Sequence, residues 1–154
     1  MIPYGRQHIS ALEINAATEV LQSDWLTQGP KITEFERALG EYVQAPYAVV
    51  CANGTAALHA ACAALGLGPG DELWTSPISF VASANCGLYM GASVDFVDIN
   101  PATRNICPVK LAEKLASGRV PKILVVVHFA GSVCDMQAIS NLAQHYGFKI
   151  IEDA

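Results

Sequence analysis

A chain of 154 residues can form one domain with a real core but is short for two. Its residues are 52% hydrophobic and only 15% charged, with a mean hydropathy of +0.31, so either a sheet is covered on both faces or some apolar surface meets a partner. A net charge of −5 without any Lys/Arg cluster argues against nucleic acid as a partner, and the longest apolar run, Ile123 to Val127, is far too short to span a bilayer.

In chain order, "SALE" sets Ser10 three residues ahead of Glu13, a capping box, and Leu12, Ala16, Val20 and Leu21 follow on one helical face. Gly29 and Pro30 in "WLTQGP" interrupt that helix. Ile32, Phe35, Leu39, Tyr42 and Val43 then mark a second amphipathic helix. From "YAVVCAN" (47–53), read as a buried strand, the pattern becomes an alternation of strand and helix. An Ala-rich helix over 55–66 is followed by a strand in "ELWTSP", a helix in "FVASANCGLYMG" and a strand in "SVDFVDI". Pro108 opens the next helix and Gly118 ends it. "KILVVVHF" is the most apolar strand, Asp135 caps "MQAISNLAQHY", and "KIIEDA" is the last strand. Apolar strands joined by helices predict an α/β fold with a mainly parallel sheet covered on both faces.

In such sheets ligands bind beyond the carboxyl ends of the strands. After the first expected strand, Gly54 and Thr55 in "ANGTAALHA" open a helix, either as a packing turn or as an anion cradle suited to phosphate. Phe80 in "SPISFVASAN" stands after the next strand, either as core or as a platform for a planar ring. Asp153 closes the last strand, where a carboxylate is costly unless it meets a cation or hydrogen-bond donors. Together they suggest a flat, phosphorylated, protonatable heterocycle, and pyridoxal 5′-phosphate (PLP) fits that description. His128 and Asp135 have plainer readings, as a hydrogen-bonded strand-end residue and a helix cap. The five cysteines are odd in number, widely spaced and without a CxxC, which reads as reduced, mostly buried thiols with no metal site. No basic segment followed by an apolar one opens the chain, so a cytoplasmic location is expected.

The ordered series "SDWLTQGPKITEFE", "ANGTAALHAA", "SPISFVASAN", "VDINPATRNICP", "VVHFAGSVCDM" and "IIEDA" resembles the DegT/StrS-type nucleotide-sugar aminotransferases, enzymes of the fold-type I PLP architecture. With "IPYGRQ", the resemblance is nearest to the branch making UDP-4-amino-4,6-dideoxy-N-acetyl-β-L-altrosamine, a precursor of pseudaminic acid. It implies that Gly54 and Thr55 bind the cofactor phosphate, that Phe80 stacks on its ring, and that Asp153 pairs with its pyridine nitrogen. It also implies that Tyr4 and the segment Asp24, Trp25, Leu26 and Thr27 line the sugar pocket, although Trp25 equally suits a core or dimer contact. Cys107 departs from the family, which usually has Asp there.

The resemblance further implies a ping-pong transfer of an amino group from glutamate to a 4-keto UDP-sugar, in a homodimer. Such an enzyme needs a lysine that binds the cofactor covalently and shuttles a proton. None of Lys31, Lys110, Lys114, Lys122 and Lys149 matches it, and the resemblance puts that lysine beyond Ala154. The chain is therefore expected to hold no catalytic residue and to be an inactive N-terminal portion. In that reading residues 1–30 form an N-terminal helix and substrate-side loop. Residues 31–154 then form the first half of the PLP-binding domain. Two alternatives stand beside this one: a PLP-dependent sugar dehydratase of the same family, and a non-catalytic oligomerisation unit.

Overall fold

A computed structural model of the protein describes residues 5–154. The chain divides into two compact units, residues 1–50 and 51–154.

The first unit holds two helices, α1 (Ala11–Leu21) and α2 (Pro30–Val43). The capping box forms as the sequence predicts. Ser10 Oγ accepts from Leu12 N at 3.2 Å, and the Ser10 N–H donates to Glu13 Oε2 at 2.6 Å. Pro30 begins α2, where its missing N–H costs nothing, and Gln44 ends the helix in the left-handed region at φ 56°. Gly29 is required by close approach: a Cβ there would lie 2.7 Å from Trp25 Cβ.

In the second unit, α3 (Gly54–Ala64), α4 (Ala82–Tyr89), α5 (Pro108–Ala116) and α6 (Met136–Tyr146) alternate with β1 (Glu72–Thr75), β2 (Ser93–Phe96), β3 (Ile123–Val127) and β4 (Lys149–Asp153). The four strands form one sheet in the order β2-β1-β3-β4, and every pairing is parallel. This is the α/β architecture expected from the alternation of apolar runs. Successive side chains along a strand point to opposite faces, so each strand serves two cores. Leu73, Ile123 and Val125 pack with Leu58 and Cys62 of α3 and Cys86 of α4. Trp74, Leu124 and Val126 pack on the other face with Leu111 and Leu115 of α5 and Ile139 of α6. No helix among the described residues is long and apolar enough to cross a membrane.

The strand expected over 47–53 does not form. Tyr47 and Val49 are exposed, and the Val50 N–H donates to the Glu36 carboxylate at 3.0 Å instead of joining a ladder. Apolar, β-branched residues favour a strand only where a neighbour takes up their backbone groups, and none of the four strands pairs with this segment.

Helix α4 approaches the sheet closely through Gly87. A Cβ there would meet Leu73 Cβ and Val94 Cγ2, each at 3.1 Å. Gly87→Val forces further methyl groups into that contact, and a destabilisation of about 1–3 kcal/mol is expected by urea titration.

Candidate functional site

Chain direction gathers the polar residues at one edge of the sheet. Helix α3 ends near Gly66, whose carbonyl accepts from Lys122 Nζ, and Lys122 immediately precedes β3. The carboxyl end of α3 therefore lies beside the amino ends of the strands. Its start, with Gly54 and Thr55, lies toward their carboxyl ends. Helix α4 runs the same way, leaving β1 through residues 76–81 and returning to the start of β2. Both helices pack on the same face, and parity along β4 puts Asp153 there too, two residues beyond Ile151, which packs against the α3–α4 core.

At the start of α3, Asn53 is the cap: its Oδ1 accepts from Ala56 N at 2.9 Å. The N–H groups of Gly54 and Thr55 have no intrahelical acceptor, and they carry the positive end of the helix dipole. A Cβ built on Gly54 meets nothing within 4 Å of the described residues. Phe80 is 74% exposed, outside the core of the described residues.

Asp153 is half-buried. Its Oδ2 accepts from Ser83 Oγ at 2.6 Å, and Ser83 Oγ lies 2.7 Å from Ser79 Oγ. The neighbouring Glu152 has the opposite parity and pairs with His128 Nε2 at 3.0 Å. His128 Nδ1 accepts from Cys134 N at 3.2 Å, so this ring carries its proton on Nε2 and serves the strand end, as the sequence suggests. Asp135 caps α6 through Ala138 N at 3.1 Å, in keeping with its plainer reading. Beside Phe80, a cavity of about 210 Å³ is lined by Thr75, Ser76, Ser79, Ser83 and Phe96 among others.

Three of the unit's four lysines are engaged elsewhere. Lys110 pairs with Glu113, Lys114 with Asp95 while lying 4.4 Å from the Trp74 ring centre, and Lys122 with Asp71. Lys149 stands at the far end of β4 from Asp153. Ala154, beyond which the family lysine is expected, is exposed just past the end of β4 and has no side-chain group able to do that lysine's work. The cysteines are all free, and Cys62, Cys86 and Cys134 are buried. Contact with Cys86 and then burial push the Cys62 thiol well above its ordinary value, and burial raises Cys134. These two sulfurs are packing groups rather than nucleophiles.

In the first unit, Trp25, Leu26 and Thr27 line a groove of about 190 Å³ with Val20 and Ile32, while Asp24 is exposed and stands outside that lining. Trp25 is 63% exposed among the described residues. Tyr4 lies outside the described residues. Ser79, Ser83 and Thr75 were not singled out from the sequence. The i, i+4 spacing of Ser79 and Ser83 at the entry to a helix was the available signal.

A helix start with free N–H groups and open space, an exposed aromatic and a strand-end carboxylate suit a flat, phosphorylated heterocycle with a basic ring nitrogen. The parallel α/β sheet with helices on both faces is the architecture of the fold-type I PLP aminotransferases. Residues 7–154 match the DegT/DnrJ/EryC1/StrS aminotransferase family, and the chain belongs to it. The family is one of PLP-dependent sugar aminotransferases. Over 153 residues the chain is 45% identical to the spore coat polysaccharide biosynthesis protein SpsC of Bacillus subtilis, a match covering 99% of this chain and 39% of that protein. It is 41% identical to the UDP-4-amino-4,6-dideoxy-N-acetyl-β-L-altrosamine transaminase of Campylobacter jejuni, over 100% of this chain and 41% of that one. The structure superposes with a TM-score of 0.90 on the putative sugar aminotransferase Spr1654 of Streptococcus pneumoniae in its PMP-form, at 29% identity, covering 99% of this chain and 42% of that one. Spr1654 has also been solved in a PLP-form. The chain thus spans about two fifths of the length of these relatives.

The Thr75 hydroxyl, on a side chain 1% exposed, finds no hydrogen-bond partner among the described residues. A buried, unpaired hydroxyl costs about 1–3 kcal/mol. Thr75→Val keeps the shape and removes that cost, so a higher urea midpoint is expected. A lower one would show that the hydroxyl has a partner.

Proposed function

We propose that the whole protein transfers an amino group from glutamate to a 4-keto nucleotide sugar, and that this chain supplies most of the fixed groups that hold the cofactor. The observation that carries the reading is Asp153, a carboxylate at the end of a parallel strand with one oxygen held by Ser83. Its other oxygen suits a cationic N–H donor, and a protonated pyridine nitrogen is one. When bound, PLP supplies an electron sink for negative charge on the carbon next to the amino group. In this reading the N–H groups of Gly54 and Thr55 hold the phosphate, Phe80 covers one ring face, and Asp153 keeps the ring nitrogen protonated. The segment from Asp24 to Thr27, with Tyr4, faces the sugar. The lysine that joins the cofactor is proposed to lie in the part of the protein beyond Ala154.

The substrate is read as a UDP-linked 4-keto-6-deoxy-hexosamine of surface-sugar biosynthesis, pseudaminic acid being the nearest fit. The name of the Campylobacter relative, 41% identical, supports that choice. Residues 1–30 act as the substrate-side arm and 31–154 as part of the cofactor domain. The enzyme is proposed to be a cytoplasmic homodimer. Exposed apolar side chains such as Leu12, Leu21 and Tyr42 support a partner surface.

Two assays test this reading. The 154-residue chain, given PLP, glutamate and a 4-keto UDP-sugar, is expected to show no turnover, because no lysine is joined to the group around Asp153. Turnover surviving further purification would overturn that part. In the whole protein, Asp153→Asn removes the negative charge while keeping the shape. A loss of roughly 10²-fold or more in turnover is expected, the scale of one lost electrostatic contact to a transition state. Cofactor affinity should fall less, because the phosphate contacts remain. Near-normal turnover would mean that Asp153 is not the nitrogen's partner.

A further inference from the structure

We propose that Ser83 is a positioning residue for Asp153, and that Ser79 in turn orients Ser83. The functional half of this proposal rests on the reading of Asp153 given above. The hydrogen-bond directions follow from counting donors. An ionised carboxylate only accepts, and a serine hydroxyl has one hydrogen to give. At 2.6 Å, within the range of an O–H···O⁻ bond, the Ser83 hydrogen points at Asp153 Oδ2. Ser83 then has only lone pairs for its neighbour, so the 2.7 Å contact is a bond donated by Ser79.

This chain of hydroxyls restrains what the strand cannot. The main chain of Asp153 is already held: its residue pairs with Val127, and its carbonyl accepts from His128 N at 3.0 Å. Neither bond restricts rotation about the side chain, so the direction of the carboxylate would remain open. Ser83 is 1% exposed on α4, a helix packed on β1, β2 and β3, and is therefore a rigid anchor. Gripping Oδ2 from the helix leaves Oδ1 turned away, and no described residue donates to it. One oxygen is fixed and the other is presented. That geometry selects a single N–H donor in one direction, as a protonated ring nitrogen would be. In this arrangement both serines act through Asp153.

The first test needs no cofactor. In the protein labelled with ¹³C and ¹⁵N, three-bond couplings report the side-chain rotamer of Asp153. A single rotamer is expected in the wild type, averaging among rotamers in Ser83→Ala, and restoration in Ser83→Thr. Ser79→Ala should loosen Asp153 partially. It also keeps the test alive if the Ser83 variant folds badly, although Ala suits a helix. A single, unchanged Asp153 rotamer in Ser83→Ala, or in Ser79→Ala should the former not fold, overturns the proposal.

The second test compares the affinity of the whole protein for pyridoxamine 5′-phosphate with that for its analogue bearing carbon in place of the ring nitrogen. The wild type should prefer the nitrogen compound, and Ser83→Ala should lose most of that preference. The expected loss is roughly tenfold, the scale of one hydrogen bond to a charged group. Affinity for the carbon analogue should stay the same, an outcome that a merely structural defect would not give. Full preference retained in Ser83→Ala overturns the positioning role. No preference in the wild type would instead sink the reading of Asp153, and the rotamer result would then decide Ser83 alone.

Discussion

The pairing of β3 with β4 is the constraint on which the edge of this sheet depends. Five parallel pairs, from Ile123–Lys149 to Val127–Asp153, set the register, and in a strand a shift of one residue exchanges the two faces. With this register Asp153 is on the face of α3 and α4, where Ser83 waits. Glu152 is on the other, where His128 meets it. Slipped by one, the carboxylates would trade surroundings: Glu152 would be aimed at the buried Ser83 and Asp153 at a histidine. The five bonded pairs and the two apolar cores decide which acid faces Ser83.

The elements of the second unit were legible because apolar residues alternate between runs of strand length and helical faces, with Pro and Gly as punctuation. "KILVVVHF" is unambiguous because a strand serving two cores must be apolar at every position, and Ile123, Leu124, Val125 and Val126 are all buried. The segment 47–53 shares that composition and yet is no strand. Composition reports which residues tolerate a sheet, whereas pairing depends on a neighbour far away in sequence. The site shows the same division. Gly54, Thr55, Phe80 and Asp153 stand out in the sequence because each lies at an expected element end, although the strand expected before Gly54 does not form. Ser83 does not, because its meaning depends on a contact 70 residues away in the chain.

Helix α4 joins stability to chemistry in one short element. Its eight residues carry Ser83, which faces Asp153, then Cys86 in the core and Gly87 against Leu73 and Val94. The close approach at Gly87 brings the helix axis near the sheet, and that approach lets so short a side chain as serine reach the end of a strand. A bulkier residue at 87 would press on Leu73 and Val94, in the same short helix that carries the Ser83 hydroxyl.

The burial of Cys62 and Cys86 carries a consequence for how motion in this unit can be observed. Both sulfurs are shut off from solvent between the sheet and the helices α3 and α4 that bear them. A thiol reagent reaches them only in the moments when those helices part from the sheet, so the rate at which the two sulfurs are modified counts openings of this face alone. Because the same face bears Asp153, the cysteines act as a clock for the carboxylate's surroundings.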